Sequence, residues 1–206
     1  NLLFNYVAIM YIMRIEKIIT SVLLAQSNGI ICIEPKINRP PIIAFAGTQN
    51  LKDLIIHDFN ILPTFWPPEN KKTRLGGRVH SGFAKRTNYL METVSDFIET
   101  HDNFILGGHS LGGSCAILCA SKLININKSV DAVYTFGVPN IGTNKFRDYY
   151  ISQGLWNKTT NYVTQNDFVV KLPFLYKSVG NNNLLEFKEK NVLISHDLIS
   201  YDSLVK

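Results

Sequence analysis

Apolar positions along this chain follow two alternating patterns. Short apolar runs of strand length predict strands at residues 29–34, 42–46, 104–106, 130–136, 160–164 and 184–187. Between them, apolar residues recur at helical spacing. Phe83, Leu90, Val94, Phe97 and Ile98 predict a long helix over 82–100. Residues 114–124 are mostly apolar and predict a buried helix. Shorter helices are expected around 144–151 and 196–205, the second opening at His196. Strands alternating with helices imply a largely parallel central sheet with helices on both faces. A length of 206 residues suits one domain over 1–206.

Two segments break the pattern. Residues 2–13 are mostly apolar and end at Arg14, about half of what a membrane span needs. They lack the basic leading region of a signal peptide. A buried helix continuing through Glu16, Lys17 and Leu24 fits them better. The first residue is Asn1 and not Met, which is compatible with a longer precursor. The stretch 49–78 is irregular. It mixes Phe59, Ile61, Leu62, Phe65 and Trp66 with Lys71, Lys72, Arg74 and Arg78.

Composition narrows the class. The chain is 46% apolar and 18% charged, which excludes a disordered polymer. Its net charge of +5 suits a mildly basic surface or an anionic lipid partner. No nucleic-acid motif accompanies that charge, so no nucleic acid is expected. Three cysteines, Cys32, Cys115 and Cys119, make no disulfide framework and favour a reducing, intracellular compartment. Cys115 and Cys119 lie four apart, on one helical face, where packing explains them better than a metal site. Sequons at Asn127 and Asn157 are short enough to arise by chance.

The chemistry concentrates at Gly108-His-Ser-Leu-Gly112, between the predicted strand ending at 106 and the apolar helix. This G-x-S-x-G spacing is the nucleophile elbow of α/β-hydrolases. A serine there stands on a strained strand-to-helix turn, and glycine on both sides leaves room for the flanking segments. The next helix aims its first amide at a developing oxyanion. A phosphate loop is excluded, because G-x-x-x-x-G-K-[ST] is missing. Ser110 is therefore the candidate nucleophile. It needs a base, and the base needs an orienting acid, following it in the order acid then histidine. His196 is the one histidine downstream. His109 adjoins the serine but is expected to diverge from it and pack. Among the acids, Asp131 precedes its strand, Asp148 lies in a helix and Asp197 adjoins the histidine. Asp167 follows the strand 160–164 at the carboxyl edge of the sheet and is favoured.

The ordered set of blocks then resembles the class 3 lipases, the fungal triacylglycerol lipase type with plant and other relatives. Ile43-Ala-Phe-Ala-Gly-Thr48 resembles the oxyanion segment, Val79-His-Ser-Gly-Phe83 the H-x-G-F block, and Gly107–Gly113 the elbow. Thr135-Phe-Gly-Val-Pro139 with Gly142 and Phe146, then Asn166-Asp-Phe-Val169 with Leu172-Pro173, continue the series to His196. The resemblance implies an α/β-hydrolase with a Ser110, Asp167, His196 triad. It also implies an oxyanion hole from the amides of Thr48 and Leu111, with His80 and Phe83 structural. It implies no cofactor and no metal. The substrate would be a lipid or other ester, met at a membrane or droplet surface. The chain departs from the family pattern at Ala46, Leu54, Asp58 and Asn140. In lipases the segment after the oxyanion residue often forms a lid, which makes Phe65 and Trp66 candidate lid or substrate contacts. An esterase or phospholipase, an acyltransferase, and a lipase-like binding protein share these motifs. Nothing in the pattern specifies chain length, head group or oligomeric state.

Overall fold

The computed structural model describes residues 16–19, 29–37, 39–47, 62–68, 75–186, 192–197 and 201. Among them, six strands form one sheet: β1 (Ile30–Ile33), β2 (Ile42–Phe45), β5 (Asn103–His109), β6 (Ser129–Phe136), β7 (Thr159–Thr164) and β8 (Asn181–Leu185), in the order β1-β2-β5-β6-β7-β8. Only β1 runs antiparallel to its neighbour. A separate antiparallel pair joins β3 (Pro63–Phe65) to β4 (Arg78–His80). The helices are α1 (Ser81–Thr93), α2 (Ser95–Thr100), α3 (Leu111–Asn125), α4 (Asn144–Ser152) and α5 (Val192–His196).

The strand side chains divide by their period of two. Ile43, Phe45, Phe104 and Leu106 face a core shared with Phe83 and Leu90 of α1, Leu118 of α3 and Phe146 of α4. Ile42, Ala44, Ile105, Phe136 and Tyr162 face a second core with Ile19 and Tyr201. Covered on both faces, β2 is a continuous apolar run and not an alternating one. A Cβ on Gly107 would lie 2.4 Å from Ile19 Cγ2, so this glycine lets the helical residues 16–19 settle on the sheet.

The structure corrects four expected boundaries. The helix over 82–100 is broken at Val94 into α1 and α2. There the Thr93 hydroxyl takes the Leu90 carbonyl at 2.7 Å, competing with the helical ladder. The strand expected to end at 106 and the helix expected from 114 nearly meet: β5 runs through His109 and α3 starts at Leu111. Strand β8 starts three residues earlier than its apolar run. Its asparagines at 181–183 are exposed on an edge strand, where burial demands no apolar pattern. Helix α5 ends at His196, where a helix was expected to open; of the helix expected over 196–205, Tyr201 is helical, while 198–200 and 202–205 lie outside the described residues. Of the expected N-terminal helix, residues 16–19 are helical, while Leu24 lies outside the described residues.

Glu16 is buried on the second core, where Tyr162 Oη donates to its Oε1. Burial raises its carboxyl above the ordinary range, and the Tyr162 bond only partly offsets this. A raised folded-state carboxyl holds its proton more tightly than the unfolded chain does. Stability should therefore fall as pH rises from the ordinary carboxylate value of about 4.3 toward the folded one. Glu16→Gln, which keeps an acceptor for Tyr162, should flatten that decline and be the more stable protein at neutral pH. Urea midpoints of both proteins at acidic and neutral pH measure this; parallel curves would refute it.

Candidate active site

The elbow is built by close approach. A Cβ on Gly108 would sit 2.2 Å from the Gly112 carbonyl carbon, and one on Gly112 would sit 2.0 Å from Phe45 O. Between them Ser110 adopts φ 53, ψ −121, a region a residue with a Cβ rarely enters. The strain, about 1–3 kcal/mol for such residues, is held in place by Ser110 N donating to Phe136 O at 2.9 Å and Ser114 N to Ser110 O at 3.2 Å. Leu111 begins the 15-residue α3, so its amide belongs to the unsatisfied, positively polarised helix end.

At the carboxyl edge of the sheet, Asp167 and His196 are both buried, and His196 Nδ1 lies 2.7 Å from Asp167 Oδ2. The carboxylate has two further donors. Tyr201 Oη donates to Oδ2 at 2.6 Å and Val169 N to Oδ1 at 2.9 Å. Burial, then the Asp167 charge, push the Tyr201 hydroxyl well above its ordinary range, so it stays a donor. With Asp167 as acceptor, His196 carries its proton on Nδ1 and leaves Nε2 free to accept. That Nε2 and the Ser110 hydroxyl are each buried without a hydrogen-bond partner. One can accept and the other can donate.

Two residues support the pair from beneath. Gly137, at φ 58, packs so closely that a Cβ would lie 2.8 Å from Asp167 Oδ2 and 2.9 Å from His196 Nδ1. His109 does not simply diverge and pack. Its Nε2–H donates to the His196 carbonyl at 2.7 Å, and the two rings lie 4.9 Å apart. Burial, then the charge of His196, lower His109 to about 3, against a smaller upward pull from that bond, so it remains neutral. Tyr201, Gly137 and this role of His109 escape sequence reading. Only the glycine carried a signal, its place in the Thr135–Pro139 block. Asn140, one of the departures from the family pattern, ties down the loop after Asp167: its backbone N donates to Leu172 O, and its Nδ2 to Lys171 O and Pro173 O.

The remaining site candidates part company. Thr48 lies outside the described residues. His80 caps α1, accepting from Gly82 N at 3.1 Å, and stacks on Phe83, as a structural residue would. Phe65 is half-buried in β3 beneath the Arg78 guanidinium, 4.9 Å from the ring centre. Trp66 corrects the lid expectation. It is fully buried in the first core, with Nε1 donating to Ser121 Oγ at 3.3 Å. A lid residue must present its ring to lipid, and Trp66 presents its ring to α3. Trp66→Ala should cost about 3–5 kcal/mol of stability, as large aromatic truncations do. A denaturant midpoint within error of the wild type would contradict this placement.

A mostly parallel sheet, helices on both faces and a buried acid–histidine pair beside a strained serine elbow define an α/β-hydrolase. Residues 42–177 match the family model for class 3 lipases, and the chain belongs to that family. It is 31% identical over 141 residues to a lipase of Rhizomucor miehei, covering 64% of this chain and 37% of that one. It is also 31% identical over 150 residues to a triacylglycerol lipase of Arabidopsis thaliana, covering 65% of this chain and 28% of that one. The chain thus spans well under half the length of these relatives. Among solved structures, the native Rhizomucor miehei lipase–propeptide complex superposes with a TM-score of 0.55 at 28% identity, over 70% of this chain and 48% of that one. A triacylglycerol lipase described as having a serine-protease triad at its catalytic centre superposes with a TM-score of 0.56 at 26% identity, over 72% and 57%.

Proposed function

We propose that this protein hydrolyses carboxylic esters of lipids through an acyl-enzyme on Ser110. The observation that carries the reading is the buried 2.7 Å contact of His196 Nδ1 with Asp167 Oδ2, in the same site as a strained serine whose hydroxyl is unmet. His196 Nε2 takes the Ser110 proton as Oγ attacks the ester carbonyl. The Leu111 amide, with that of Thr48, stabilises the oxyanion. The protonated His196 then gives its proton to the departing alcohol oxygen. Water, deprotonated by the same nitrogen, attacks the acyl carbonyl and restores the serine. The carboxylate of Asp167, with three donors around it, holds the ring in the required tautomer and balances the imidazolium. No step needs a metal or organic cofactor. Lipid as substrate is supported by family membership and by the triacylglycerol lipases among the relatives.

A fluorophosphonate probe tests the mechanism, because its phosphorus mimics the attacked carbonyl. One adduct per chain, formed with loss of fluoride and located by mass spectrometry on Ser110, is the expected result. A p-nitrophenyl ester series of rising acyl length, with and without micelles, then reads the substrate. Turnover rising with chain length and on micelles supports a lipase, and turnover confined to short soluble esters supports an esterase. No adduct on a folded protein would overturn the catalytic reading.

A further inference from the structure

Three exposed apolar side chains that the chemistry does not use share one short segment. Phe168 is 42% exposed, Phe174 69% and Leu175 78%. The Phe168 and Phe174 rings meet edge-on, with centroids 6.2 Å apart. Single exposed apolar residues are ordinary, but a cluster marks an interaction surface.

The segment is pinned from both sides. Besides the Asn140 bonds to its first half, Tyr176 N donates to Pro173 O at 3.1 Å, Lys177 N to Gly142 O at 2.7 Å and Ile141 N to Lys177 O at 3.0 Å. Leu172 and Tyr176 are buried beneath it. Phe174 and Leu175 are therefore the crown of a rigid turn, and docking through them costs little ordering.

Charge indicates what docks. Residues 168–180 contain Lys171 and Lys177, both exposed, and no Asp or Glu. Val79 and Lys177 both bridge to Gly142, which brings strand β4 and its exposed Arg78 alongside. Arg78 acts on Tyr176 directly, lowering a hydroxyl that burial raises. An apolar crown between cations suits an anionic lipid surface, with hydrocarbon beneath and phosphates at the level of the basic groups. Position agrees, since Phe168 directly follows Asp167 and so borders the site where an ester would reach Ser110.

We propose that the turn over residues 168–177 docks this protein on an anionic phospholipid membrane, Phe174 and Leu175 entering the acyl boundary and Lys171, Lys177 and Arg78 holding head-group phosphates. The proposal deepens the lipid-ester reading by naming the face that meets the lipid, and it rests on that reading for orientation toward the substrate but not for binding itself.

The test is co-sedimentation of the full chain with vesicles of phosphatidylcholine alone or mixed with phosphatidylglycerol, alongside turnover of a short soluble ester. Binding should require phosphatidylglycerol and weaken with salt. Phe174→Ser with Leu175→Ser should weaken it roughly ten- to hundredfold per side chain. Lys171→Gln and Lys177→Gln should each weaken it roughly fivefold. Unchanged melting and soluble-ester turnover in these variants would establish that they fold. Vesicle binding indifferent to all four substitutions would overturn the proposal. So would a wild type that self-associates through Phe174 and Leu175 while binding no vesicle, because the crown would then face a second copy. A wild type that binds anionic vesicles but hydrolyses no ester would leave the docking surface standing and remove the enzymatic reading.

Discussion

Ser110→Ala should lower turnover of a soluble ester by on the order of 10⁶ while leaving the fold intact. The expectation has two separable halves. Chemically, without Oγ no acyl-enzyme forms, and only the oxyanion donors and binding remain, which supply a residual 10³–10⁴ or so over water. Structurally, the Ser110 hydroxyl makes no hydrogen bond that the fold would miss. Alanine keeps the Cβ and so the strain at φ 53. Melting of Ser110→Ala should thus shift by no more than surface substitutions do, about 0.5 kcal/mol. Ser110→Gly provides the internal control. It is equally inactive, yet glycine relieves strain of about 1–3 kcal/mol against a backbone-entropy cost of roughly 0.5–1 kcal/mol. It should melt at or above the alanine variant. Initial rates normalised to folded protein, with calorimetry of all three, read both halves. Activity surviving in Ser110→Ala would move the nucleophile elsewhere.

That half of the site was legible because the constraint on Ser110 is local. The elbow needs glycine at Gly108 and Gly112, five consecutive residues at the junction of a strand and a helix. His196 was legible by elimination and Asp167 by its place after a strand. What stayed hidden depends on contacts far apart in sequence. Nothing near Tyr201 marks it as a donor to Asp167, 34 residues away. The bond from His109 to the His196 carbonyl joins residues 87 apart. Trp66 was misplaced because an aromatic among prolines and lysines resembles a lid, whereas its burial against α3 is set by the β3–β4 pairing. The edge strand β8 was displaced because its pairing with β7 is satisfied by backbone, so its asparagines carry no apolar period.

The second large effect comes from the acid. Asp167→Asn should lower turnover by about 10⁴, the scale seen when an orienting carboxylate becomes an amide. Here the cause is visible around each oxygen. Oδ2 accepts from His196 and Tyr201, and Oδ1 accepts from Val169 N. An amide must place its NH₂ on one side or the other. One orientation sets N–H against the His196 and Tyr201 donors; the other sets it against the Val169 amide. Relief comes most easily if His196 moves its proton to Nε2, which leaves nothing to accept the Ser110 proton. Gly137→Ala should approach the same phenotype without altering the chemistry of any reacting group. Its Cβ would stand 2.8 Å from Asp167 Oδ2 and 2.9 Å from His196 Nδ1, so the pair must open, and alanine also carries the cost of φ 58. A loss of roughly 10²–10⁴ in kcat is expected, because misplacement by about 1 Å alone can cost 10²-fold. The loss should appear in kcat more than in KM, since Gly137 meets the acid–base pair and not the acyl chain. Tyr201→Phe separates displacement from lost charge stabilisation: it removes one donor, leaves the 2.7 Å contact in place, and should cost less than either. If Gly137→Ala turned over at the wild-type rate, the Asp167–His196 pair would tolerate opening, and its alignment would not govern the reaction.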